Sequence, residues 1–166
     1  MVPENRTSSN NLFLAVVIST FIALVLMLIQ LPIWLFYLWP DWIALVVVFW
    51  SLYQPDRFGP VAGFIIGTLL EVLFVRTFGV FGLGLATIAF IVNSTHQQLR
   101  AMSIWQQMFV IGLYIGVFKL MTGWLSGMVS DFVINSQFWY SLLGDILVWP
   151  FVTILLHELR RIMRLR

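Results

Sequence analysis

Leu12–Leu31, LFLAVVISTFIALVLMLIQL, decides the fold. Ser19, Thr20 and Gln30 are its polar interruptions. A helix needs about 20 apolar residues to cross the ~30 Å hydrocarbon core. The run exceeds the apolar core of a signal peptide, and no small-residue cleavage site follows it. It therefore reads as a retained membrane-spanning helix. The rest of the chain agrees: of 166 residues, 61% are hydrophobic and 10% charged, against roughly 45–50% and about 25% in soluble domains. With a mean hydropathy of +0.97, a soluble globule of this size could not hide its apolar surface, and disorder or a fibre is excluded. With no Cys, disulfides and thiolate metal sites are excluded too.

Outward from that run, the sequence predicts an all-α membrane protein of six transmembrane helices. The boundaries are 12–31, 40–53, 61–75, 78–93, 108–125 and 138–156. Six spans use roughly 120 residues, leaving no room for a soluble catalytic domain. Residues 1–11 are expected to be a flexible tail, 12–157 the transmembrane domain, and 158–166 a basic tail. Pro40 suits the first turn of helix 2, and Asp41 favours its positive end. That helix is short, so neighbours must shelter it or the bilayer must thin; were it re-entrant, the spans would number five. Ser94–Gln107 reads as the most polar internal loop. Trp149-Pro150 falls inside helix 6, where Pro150 removes the bond to the Ile146 carbonyl and predicts a kink.

Basic residues set the orientation. With both termini cytoplasmic, the inner face holds Arg6, Arg57, Arg100, Arg160, Arg161, Arg164 and Arg166, and the outer face Arg76, seven against one. The +2 charge and pI of about 9.4 thus speak of topology rather than nucleic acid. The basic residues also suit anionic lipid or cytoplasmic partners.

Glu71, Lys119 and Asp145 fall inside spans, where a charge is costly and needs a partner. At 1.5 Å per residue all three lie roughly 15–20 Å from the inner surface. The expectation is one polar cluster with Lys119 between the two carboxylates, acting as interhelical glue or as a proton or substrate pathway. Gly59, Gly63 and Gly67 share a face of helix 3, and Gly112 and Gly116 one of helix 5. Such faces permit close helix approach, within the chain or with a partner's helix; a homodimer stays open.

Catalytic and metal motifs fail. His157-Glu158 begins a zinc-helix motif, but position 161 is Arg. Gly123-Trp-Leu-Ser126-Gly127 has the wrong spacing for an intramembrane serine protease, and His96 and His157 sit at the cytoplasmic surface. No cofactor is expected.

Trp39-Pro-Asp-Trp42, Phe49-Trp50 and Pro55-Asp-Arg57, in that order, resemble the second helix and following turn of the MreD family. Gly63-Phe-Ile-Ile-Gly67-Thr-Leu-Leu-Glu71, then Thr77-Phe-Gly79-Val and Leu85-Ala, resemble its Gly-rich third helix, where members more often carry Asp at the Glu71 position. Trp105-Gln-Gln107 and Trp149-Pro150 also match. The resemblance implies a non-enzymatic scaffold of the cell-elongation machinery in the bacterial inner membrane, supporting lateral peptidoglycan synthesis and cell shape. Its implied associates are MreC, MreB, RodA and a class B penicillin-binding transpeptidase. The family's helical arrangement is similar to the substrate-binding subunits of energy-coupling-factor (ECF) vitamin transporters. That supplies an alternative: a solute-binding subunit whose cavity is lined by Asp41, Asp131, Asn135, Gln137 and the Trp34–Trp42 loop.

Overall fold

The computed structural model describes residues 4–29, 32, 38–75, 78–127 and 136–163. Among these, the regular elements are six α-helices: α1 (Glu4–Leu28), α2 (Trp42–Tyr53), α3 (Pro60–Phe74), α4 (Val80–Ala101), α5 (Ile104–Gly127) and α6 (Ser136–Ile162). Among the described residues, three stretches are long and apolar enough to cross a membrane: Asn10–Leu28, Ile104–Gly127 and Trp139–Ile162. Arg76, Asp131, Asn135, Arg164, Arg166, the 33–37 part of the Trp loop and the side chains of Arg6 and Gln137 lie outside the described residues.

The core is built around α2. Every residue from Ile43 to Leu52 is buried, because α1, α4 and α6 all pack against this helix. Its 12 residues span about 18 Å, but its flanks meet protein rather than lipid, so the short length leaves no apolar mismatch. The sheltering expected from its length is thus supplied by neighbours. Trp50 Nε1 donates to Ser19 Oγ at 2.9 Å, tying α2 to a polar position of α1. By contrast, the outer faces are apolar: Phe13, Phe21, Phe109 and Leu147 are all exposed, while Glu71 and Asp145 are wholly buried. Apolar surface outside and charge inside is the arrangement a bilayer imposes.

Helix ends depart furthest from the sequence reading in three places. α1 begins at Glu4, inside the expected tail, and Asn11 Nδ2 donates to Met163 O at 3.2 Å, joining it to the end of α6. The expected polar loop 94–107 is largely helical, with Met102 and Ser103 alone between α4 and α5. Ser94 and Thr95 turn their hydroxyls back onto the Phe90 and Ile91 carbonyls, so their polarity is absorbed by their own helix. Gln107 Nε2 donates to Leu99 O at 2.8 Å, closing the end of α4. Finally, α6 continues to Ile162, with Arg160 and Arg161 in its last turn, where cations complement the helix dipole. The helix runs through Pro150, and Trp149 beside it is wholly buried.

Candidate functional site

The N-terminus of α2 rests on α6 through three residues of one face of α6, Ser141, Gly144 and Asp145, spaced i, i+3, i+4. Gly144 makes room: a Cβ there would collide with the Leu38 carbonyl. Ser141 Oγ donates to Trp39 O at 3.2 Å. The Asp41 backbone N–H donates to Asp145 Oδ1 at 2.7 Å. Lys119 reaches in from α5, its Nζ lying 2.7 Å from Asp145 Oδ2 and 2.9 Å from Asp41 Oδ2. The ammonium also donates to Ser141 Oγ. Asp145 is fully buried, Lys119 is 9% exposed, and Asp41 is 35% exposed. Three helices are thus joined by an Asp–Lys–Asp triad with one edge open. In a low-dielectric interior such a triad holds only while every member is paired.

The expected pairing of Lys119 with Asp145 is present; the expected pairing with Glu71 is not. Asp41 takes the second carboxylate position. Glu71 instead caps α4. Its Oε2 accepts the Gly79 N–H at 2.7 Å, and its Oε1 accepts the N–H groups of Phe81 and, at 3.0 Å, Gly82. The reason is local. Gly79, the N-cap residue, has φ +89°, a left-handed conformation glycine adopts without strain, and it has no side chain to cap its own helix. A carboxylate held one turn before the end of α3 meets the unpaired N–H groups and positive dipole end of α4. Glu71→Gln removes the charge but keeps an acceptor, and is expected to cost about 1–2 kcal/mol. Detergent unfolding midpoints check it; a midpoint equal to wild type would deny the cap its role.

The glycine face of α3 belongs to the same hairpin. A Cβ on Gly63 would lie 2.7 Å from the Leu85 carbonyl oxygen, and one on Gly67 2.6 Å from Gly82 Cα. Backbone meets backbone here, so of the two neighbours the glycine spacing allowed, a helix of the same chain or a partner's helix, Gly63 and Gly67 meet the first: α4 fills their face, and the partner-helix reading does not hold at these two residues. Gly112 likewise sits against Ile146 of α6, Gly116 faces Leu142 at 3.7 Å, and Gly59 faces Asn93 Nδ2 at 3.8 Å.

Around the far end of α2, Arg100 Nε donates to Leu52 O at 2.9 Å. The guanidinium groups of Arg100 and Arg160 lie 5.6 and 5.5 Å from the Tyr53 ring centroid, within cation–π range. Arg161 pairs with Glu158 at 3.6 Å on the surface. Arg57 lies on the turn between α2 and α3.

The family model described as rod shape-determining protein MreD matches residues 8–159 of this chain. The chain belongs to the MreD family. The Rod shape-determining protein MreD of Haemophilus influenzae is 29% identical over 149 residues, covering 87% of this chain and 89% of that protein. No solved structure matches. Membership in the MreD family supports a rod-shape-determining role, and with the long apolar helices it marks a membrane protein. Within this MreD fold, sequence reasoning missed Asp41, Ser141 and Gly144 as parts of the triad's seat. The available signals were the i, i+4 spacing of Ser141 and Asp145 and the position of Asp41 beside Pro40.

Proposed function

We propose that this protein is a non-enzymatic scaffold of the bacterial elongation machinery, with six spans and both termini on the cytoplasmic side of the inner membrane. It supports lateral peptidoglycan synthesis by holding MreC, and through it MreB, RodA and a class B penicillin-binding transpeptidase. The observation that carries this reading is the MreD family match over residues 8–159. The geometry supports it in one respect. The buried charges are committed to tying helices together: Lys119 to two carboxylates, Glu71 to a helix end. Such groups act as structural fasteners rather than a reaction centre. Because α3's glycine face is filled by α4, MreC is expected on an outward apolar face instead.

Of the lining the solute-binding alternative names, Asp131, Asn135, the Gln137 side chain and residues 33–37 lie outside the described residues; the cavity beside Asp41 holds about 20 Å³, room for about one water. Depletion in a rod-shaped host tests the main reading: cells are expected to become spherical, and re-expression to restore rods. Unchanged rods after depletion would reject it. Co-purification with MreC from solubilised membranes tests the direct contact.

A further inference from the structure

Unlike α2, the second short helix is not sheltered. α3 exposes Val61, Ile65, Leu69, Val72 and Leu73 along its length, and Val75 at its end. From Val61 to Val75 this apolar face is about 21 Å tall, well short of the ~30 Å hydrocarbon core. On α5 the exposed apolar face runs from Trp105 to Trp124, about 28 Å. We propose that the bilayer is pinched by roughly 7 Å against the α3–α4 side, in the leaflet nearer the α2–α3 turn, and that this side gathers lipids with short acyl chains. The proposal rests on membrane insertion alone and does not depend on the scaffold reading.

Hydrogen bonds between neighbouring helices place the shortfall at the turn end. Asn93 Nδ2 donates to Phe58 O at 3.3 Å. The exposed Asp56 and Arg57 therefore lie beside the middle part of α4, well before its end at Ala101. A long arginine can reach several ångströms toward water; an aspartate cannot. Further along, Tyr114 Oη donates to Thr95 Oγ1 at 3.2 Å, and Gln107 Nε2 to Leu99 O at 2.8 Å. The α4 stretch 95–99 thus runs beside the α5 stretch 107–114. Over that one height α4 exposes Gln97 and Gln98, while α5 exposes Phe109 and Leu113. Unlike the Ser94 and Thr95 hydroxyls, which their own helix absorbs, these amides need water or headgroups. Phe109 and Leu113 suit acyl chains. A bilayer meets both demands by thinning on one side, because a few ångströms of mismatch cost less than a charge or an amide in hydrocarbon. The residues α3 shows outward are large and branched, whereas helix seats in membranes favour small ones; Gly63 and Gly67 face α4. Lipid, rather than another helix, fits this face.

The test places a photoreactive amino acid at Ile65 on α3, and separately at Leu113 on α5, both exposed. The full chain is reconstituted in vesicles of dimyristoleoyl and dioleoyl phosphatidylcholine in equal parts. The short-to-long ratio of lipid adducts at Ile65 is expected to exceed that at Leu113 about twofold, the selection that a few ångströms of mismatch supply. The placement of the step is read on Gln97→Cys and Phe109→Cys in permeabilised dioleoyl vesicles; the chain has no cysteine of its own to compete. A water-soluble maleimide should modify Gln97→Cys about tenfold faster than Phe109→Cys, since the reactive thiolate forms in water. Equal adduct ratios at the two positions would overturn the pinch, and equal maleimide rates its placement at the turn end. An Ile65 adduct in native membranes that is another protein rather than lipid would overturn the assignment of this face to the bilayer.

Discussion

Lys119→Met is expected to be the most damaging single change on this chain. It leaves Asp145, which has no solvent contact, facing Asp41 with no counter-ion. Removing one partner of a buried ion pair costs about 3–5 kcal/mol, a large share of the stability of a small protein. The variant should accumulate poorly in membranes and lose its fold in mild detergent far sooner than wild type. Asp145→Asn should be milder, because Lys119 keeps Asp41 and the amide oxygen can still accept the Asp41 N–H. The informative variant combines Lys119→Met with Asp145→Asn, which removes the stranded charge and should regain much of the loss. Unfolding half-lives of the four proteins form a double-mutant cycle. If Lys119→Met matches wild type, the triad does not fasten these helices.

Gly67→Leu is expected to come next. Even a bare Cβ at this position would lie 2.6 Å from Gly82 Cα and from the Phe81 carbonyl oxygen. Those atoms are backbone, so nothing flexible can move aside. Overpacking of this kind costs about 1–3 kcal/mol for small additions, and leucine adds three further carbons. Separating α3 from α4 also withdraws Glu71 from the N–H groups of Gly79, Phe81 and Gly82, so cap and interface should fail together. Gly116→Ala is the control: its nearest neighbours are Leu142 methyls at 3.7 and 3.8 Å, ordinary contact, and stability should stay near wild type. Thermal stability in detergent and restoration of rod shape in depleted cells measure both. A Gly67→Leu protein as stable as Gly116→Ala would show that the hairpin does not need this contact.

The glycine spacing was readable as a close-approach face because Gly63 and Gly67 are four apart and a helix places such residues on one side. What filled that face was not readable. A stripe of small residues suits a neighbour in the same chain and a helix of another chain equally well, and the five residues linking α3 to α4 favour the first only once the turn's geometry is known. Glu71 shows the same limit. Counting residues along each helix put it at the depth of Lys119, yet depth says nothing about which way a side chain points. The Gly79 turn brought three unpaired N–H groups nearer. The sequence places Asp41 at the positive end of α2 and carries no sign of its pairing with Lys119, since that pairing needs the pre-α2 segment laid on Gly144.

The amino-acid order by itself determined that this chain is a helical membrane protein, where its apolar segments lie, which charges must be buried, and to which family it belongs. Those follow from the free energy of moving each segment out of water, a sum over neighbouring residues in the chain. Only the tertiary structure decided that α2 is the central helix, that Lys119 binds Asp41 and Asp145, and that Glu71 serves α4. These helices are apolar on nearly every side, so no polar stripe marks the inward face. Rotation about each axis, and with it every long-range pairing, is fixed by packing and short connections rather than by pattern.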